Sequence, residues 1–190
     1  LNKSLALQVR EYKTRRMRLL VEKGFMFYFF YNARLFFFLL FHKPDLLVSN
    51  DLDTLLPNHL ISKFKRIHLV YDSHELFCEV PELQKRKWKK KFWKRIERFC
   101  FPKLKNVFTV NKTIAEIYNK EYNVEVKVVR NIPDRKEMHL LRSKADLGLP
   151  VDKKIILLQG GGINIERGVE EAVQAMQYIE DAVFLIIGGG

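Results

Sequence analysis

Cysteine is nearly absent from this sequence, and acid is outnumbered by base. The two cysteines, Cys78 and Cys100, fit no zinc-ligand spacing and no secreted disulfide framework. They read as reduced thiols in a cytosolic setting, and no metal is expected. No secretory signal pattern opens the chain. Neither internal repeats nor low-complexity tracts occur, which excludes solenoid and disordered classes. With 22 Asp and Glu against 34 Lys and Arg, the net charge is +12. That excess implies an anionic partner: a membrane surface, a nucleic acid or a phosphorylated substrate. The bases gather in one helix and one turn without a recognised nucleic-acid motif, so no nucleic-acid partner is expected. The long apolar run Phe25–Phe41 is at the short limit for crossing a bilayer and contains Asn32 and Arg34. It is expected to be a buried helix, Asn32–His42, docked under a sheet, with membrane contact by part of its face left open.

What is present is an alternation of strand and helix patterns. Strands are expected at Ser4–Tyr12, Leu46–Ser49, Ile67–Tyr71, Val107–Val110 and Val126–Val129. Helices are expected from the residues after Asp53 to about Lys65, at Trp88–Phe99 and at Thr113–Glu121. Strands separated by helices imply an α/β class with a parallel sheet and helices on both faces. Asp134–Asp146 is charged and reads as loosely helical, and Leu147-Gly-Leu-Pro150 stops it. A strand at Lys153–Leu158, a glycine turn at Gly160–Gly162, a helix at Val169–Met176 and a strand at Val183–Ile187 then begin a second unit. The domains are expected as 1–147 and 148–190. Leu1 at the start and three glycines directly after a strand at the end lead to the expectation of a piece cut at both ends.

Between Lys85 and Arg95 eight bases are interleaved with Trp88, Phe92 and Trp93. On a helix, Trp88, Phe92, Ile96 and Phe99 share one face with lysines around it. Two readings are open: an anionic membrane surface met by Trp88, Lys89, Lys90, Lys91, Phe92 and Lys94, or an ordinary helix docked by its apolar face.

The apolar strand ending at Tyr71 runs directly into Asp72, Ser73, His74 and Glu75. In open α/β sheets, ligands bind beyond the carboxyl ends of strands. The cluster therefore reads either as a site or as helix-capping residues with a structural histidine. Asp51 and Asp53 follow another strand end, and Asp53 is expected to be a helix N-cap. Asn111 and Asn131 also follow strands. Each faces a cleft or satisfies loop backbone.

These motifs, in order, resemble the retaining glycosyltransferases of the GT-B architecture, in the bacterial glycosyltransferase family 4-like group. The resemblance rests on Asn50–Pro57, Tyr71–Glu75, Phe77–Glu82, Phe108–Asn111, Val129–Pro133 and Gln159–Gly168. It implies two Rossmann-like domains, the first for the acceptor and the second, only begun here, for a nucleotide-sugar donor. It implies sugar transfer to a glycan or lipid-linked acceptor with retention, in surface glycan synthesis, without cofactor or metal. The protein would then be cytoplasmic, peripheral on the inner face of the membrane. By the same resemblance His74 lies near the donor sugar, and Glu75 orients it or faces the acceptor. Asp51, Asp72, Asn111 and Asn131 are acceptor-side candidates, while Gly160, Gly161, Gly162 and Arg167 hold the donor diphosphate. A helix N-terminus and an arginine fork suit phosphate, although Arg167 also reads as a solvated first-turn residue. The family's first strand, its second phosphate-binding base and its paired glutamates are absent from this span, so the span is expected to show no turnover. The competing readings are a GT-B-fold nucleotide-sugar epimerase and a basic membrane- or nucleic-acid-binding module.

Overall fold

The computed structural model describes residues 9–21, 23–133, 135, 142–161, 163 and 168–189. The chain divides into two units, Leu1–Ile132 and Pro133–Gly190. The first contains α1 (Gly24–Phe41), β1 (Leu46–Asn50), α2 (Leu52–Lys65), β2 (His68–Ser73), the short α3 (Pro81–Gln84), α4 (Lys87–Cys100), β3 (Asn106–Thr109), α5 (Lys112–Tyr122) and β4 (Val126–Val128). The second contains β5 (Lys154–Gly160), α6 (Val169–Ala175) and β6 (Ala182–Gly188).

The first unit is an α/β layer structure built on a parallel sheet in the order β1-β2-β3-β4. Parallel neighbours require crossovers, and α2, α4 and α5 lie in them. Because the strand order never turns back, right-handed crossovers put these helices on the same face. Burial agrees. Leu47, Ser49, Leu69, Tyr71, Ser73, Val107 and Thr109 alternate inward along the strands and are buried. Leu55 of α2, Trp93 of α4 and Tyr118 of α5 join the same core. On the opposite face Leu46 and Val48 are 52% and 54% exposed. The expected helices on both faces are thus not found among the described residues, since that arrangement needs a reversal of strand order.

Several expected elements are displaced. The first helix starts at Gly24, eight residues ahead of Asn32, because nothing in the aromatic run between them breaks a helix. It packs on α2 yet buries only Leu39 fully, so it is an outer layer and not the buried helix the run suggested. Residues 9–12 form no strand, and the remainder of Ser4–Tyr12 lies outside the described residues. Most of the charged stretch after Pro133 is likewise outside them, and the turn Ala145–Leu147 ends at Gly148 in the left-handed region (φ 67°). In α4 the buried face is Trp93, Glu97 and Cys100, whereas Trp88, Phe92 and Phe99 stay exposed. Of the four-residue stripe read from the sequence, these three face outward, while Ile96 packs partly buried against the core. The inward stripe was hidden because it includes a charge: Glu97 is buried, and it accepts from Lys94 Nζ at 2.6 Å and Tyr122 Oη at 2.5 Å.

In the second unit β5 and β6 pair in parallel from Lys154 beside Ala182 to Gly160 beside Gly188. β5, α6 and β6 are the strand, helix and strand read from the sequence, while Gly162 and residues 164–167 of the expected turn region lie outside the described residues.

Candidate functional site

Strands β1 and β2 end side by side, with Asn50 opposite Asp72. At that edge the chain makes an abrupt turn into α2. Asp51 occupies the turn at φ 57°, ψ 172°, a region almost reserved for glycine. What holds it there is a set of bonds to the neighbouring strand end. The Asp51 N–H donates to the Asp72 carbonyl at 2.9 Å. Its carboxylate accepts from the His74 N–H at 2.9 Å and lies 3.3 Å from His74 Nδ1. With the proton on Nδ1, His74 donates to Asp51 and leaves Nε2 facing Asp72 Oδ2, 3.6 Å away. The imidazole is therefore clasped between two carboxylates and remains about two-fifths exposed.

The turn around His74 is fixed from beneath. Ser73, fully buried, donates from Oγ to the Glu75 carbonyl at 2.9 Å and meets Tyr118 Oη at 3.2 Å. Thr109 Oγ1 donates to the Ser73 carbonyl at 2.8 Å. On the β1 side, Thr54 Oγ1 donates to the Asn50 carbonyl at 2.9 Å and lies 2.8 Å from Ser49 Oγ. Asn32, reaching from α1, donates to the Asp53 carbonyl at 2.9 Å. None of Ser49, Thr54, Thr109, Tyr118 and Asn32 is a site candidate from the sequence: Thr54 and Thr109 fall inside motifs of the resemblance, and Asn32 marks only a polar break in the apolar run. The small polar side chains at strand ends were the available signal, but nothing local shows that a distant Tyr118 meets Ser73.

Asp53 sits in the first turn of α2, not at its N-cap; Asp51 holds that position and makes no side-chain cap bond. Burial, reinforced by the charge of Asp51, raises the Asp53 carboxyl from 3.8 to about 6 despite hydrogen bonds from the backbone of Asp53 and Thr54. The same burial and the nearby Asp53 charge raise Tyr28 and Tyr31. A carboxyl that changes protonation near neutrality thus lies two residues from the one that grips His74.

The other candidates fall out differently. Asn111 is the N-cap of α5, its Oδ1 accepting from the Ile114 N–H at 2.9 Å. Asn131 is exposed in the chain leaving β4, and the Glu75 residue is exposed. Of the glycine turn, Gly160 ends β5 and Gly161 has open space where a Cβ would stand. Gly162 and Arg167 lie outside the described residues. Among the proposed membrane residues, Lys90 is paired with Glu79 at 2.6 Å, and Lys94 with Glu97 and Glu121 at 2.6 and 2.8 Å. Lys89 lies over the Trp88 ring at 5.5 Å. Cys78 and Cys100 are buried, and burial pushes both thiols up to about 12, so neither is a thiolate near neutrality. Among the described residues no group of three His, Cys, Asp or Glu is placed to hold a metal ion. Asp51 and Asp72 address opposite ring nitrogens of His74 and do not converge on one point.

An imidazole held at a sheet's carboxyl edge can exchange one hydrogen bond with a hydroxyl. The family comparison gives this edge its context. Residues 3–135 match the family model described as Glycosyltransferase Family 4. The chain belongs to Glycosyltransferase Family 4. No curated protein matches it. The Family 4 match covers the whole four-stranded sheet and the Asp51–His74–Asp72 cluster. A glycosyltransferase acts on a sugar donor and an acceptor, and the fold is that expected of a Rossmann-like first domain.

Proposed function

We propose that this protein transfers a sugar from a nucleotide-sugar donor to an acceptor hydroxyl with retention of anomeric configuration, in the synthesis of a surface glycan at the cytoplasmic side of the membrane. The observation that carries the reading is the Asp51-held His74 at the joint carboxyl edge of β1 and β2. In this role His74 hydrogen-bonds the sugar at the reacting centre. Asp51 is its positioning residue, and Glu75 and Asp72 line the acceptor side. The leaving diphosphate needs preorganised N–H donors and a cation. The turn at Gly160–Gly162 and Arg167 are the residues proposed for it, and no metal is required by the scheme.

The test uses the full-length protein with isotopically labelled nucleotide sugars, reading the anomeric configuration of the product by proton NMR. Retention is expected, with His74→Ala lowering turnover at least about a hundredfold. An inverted product, or turnover untouched by His74→Ala, would refute the assignment.

A further inference from the structure

We infer that the outer face made by α1 and α4, with the groove they form over α2, is a bilayer-docking surface that seats the protein on anionic lipid. Its apolar part is continuous. Along α1, Met26, Phe29, Ala33, Phe37 and Phe41 recur at spacings of three and four and so share one face. The four large ones among them are 48% to 80% exposed. The Phe25 ring stands edge-on to Trp88 and Phe92 of α4, with centroids 5.3 and 4.9 Å away, which joins that stripe to the exposed apolar stripe of α4. Between the helices lies a groove of about 280 Å³ whose lining includes Phe29, Phe36, Leu60, Phe92 and Ile96. Asn32, also in the lining, turns its amide to the Tyr28 and Asp53 carbonyls, so the groove has little to offer a polar ligand.

Charge decides which apolar partner fits. Beside the aromatic stripe of α4 run Lys87, Lys91, Arg95 and Arg98, all exposed and with no ion-pair partner among the described residues. Lys90 and Lys94, by contrast, are occupied by carboxylates of the protein itself. Arg15 stacks on Phe38 of α1 at 4.8 Å, which brings the basic segment that includes Lys13 and Arg18 to the same helix. An apolar aromatic stripe flanked by uncompensated bases matches a surface with hydrocarbon below and phosphate above. By length and composition α1 is able to cross a membrane. The Asn32 bond to the Asp53 carbonyl instead holds it against α2 as part of the folded unit. This inference concerns lipid alone and does not rest on the transferase reading.

The experiment is flotation of the full chain with vesicles of phosphatidylcholine, with and without phosphatidylglycerol, followed by quenching with brominated acyl chains. The two tryptophans separate the signal, since Trp88 is exposed and Trp93 buried. Binding is expected only with phosphatidylglycerol present, with quenching that Trp88→Phe removes while binding persists. Lys91→Gln together with Arg95→Gln, both at exposed positions, is expected to weaken partition about thirtyfold. Equal binding to both vesicle types, bound protein with unquenched Trp88, or resistance to alkaline carbonate extraction would overturn the proposal. So would self-association that buries Trp88 in protein that ignores vesicles.

Discussion

Asp51 offers a way to separate backbone strain from side-chain function at a single position. Its φ of 57° with ψ of 172° lies in a region where a non-glycine residue costs about 1–3 kcal/mol. Asp51→Ala and Asp51→Gly remove the same carboxylate and therefore the same bonds to His74. They differ in the backbone. Alanine keeps the strain, whereas glycine releases it but gains freedom in the unfolded chain worth about 0.4–1 kcal/mol. The net expectation is that Asp51→Gly is more stable than Asp51→Ala by roughly 1–2 kcal/mol. Urea unfolding followed by tryptophan emission isolates the relevant unit, because both tryptophans are in α4. The midpoints should differ by about 0.5–1 M. An alanine variant as stable as the glycine variant would refute the strain argument. Activity should behave otherwise, with both variants losing turnover equally because both release His74. A fully active Asp51→Gly protein would show that Asp51 does not position the imidazole.

Three further outcomes follow from the same geometry. The raised Asp53 carboxyl means that the folded state holds its proton more tightly than the unfolded chain. Its contribution to stability is therefore fully present below pH 3.8 and is lost as pH rises through about 6. Asp53→Asn should flatten that part of the stability profile, and a carbon-13 titration of Asp53 should show a midpoint near 6. Lys94→Ala leaves the buried Glu97 without its cation and should cost about 3 kcal/mol by urea unfolding, with Lys94→Met/Glu97→Gln recovering part of the loss. Gly188→Ala would place a Cβ 2.0 Å from the Gly160 carbonyl oxygen, so the end of the β5–β6 pair must shift. A cost of about 1–3 kcal/mol is expected, with faster amide exchange at Ile163, which bonds to the Gly189 carbonyl.

Strands were the most legible part of the fold. β1, β2 and β3 pack one face on the core, so their apolar side chains keep a two-residue period that can be read without a structure. The side on which the helices lie was not legible, because it depends on strand order and no local pattern encodes it. The placement of α1 is hidden for a related reason. A helix apolar all round carries no phase to say which face is buried, and here most of it is not. At the site, the run from Asp72 to Glu75 was visible as an abrupt polar break after a strand. The partner of His74 was not, since Asp51 lies 23 residues earlier and meets it only because β1 and β2 pair in register. From the sequence, Glu75 either orients His74 or faces the acceptor, and nothing local points to Asp51, whose carboxylate lies 3.3 Å from Nδ1.

The proposed sugar transfer is placed at the edge where Asp51 holds His74. It is tested most directly by following the His74 ring resonances during titration with uridine and guanosine diphosphate sugars, assigned by comparison with His74→Gln. A saturable shift of the His74 signals is expected with the preferred donor, abolished in Asp51→Ala. Saturable donor binding that leaves His74 unmoved would contradict it.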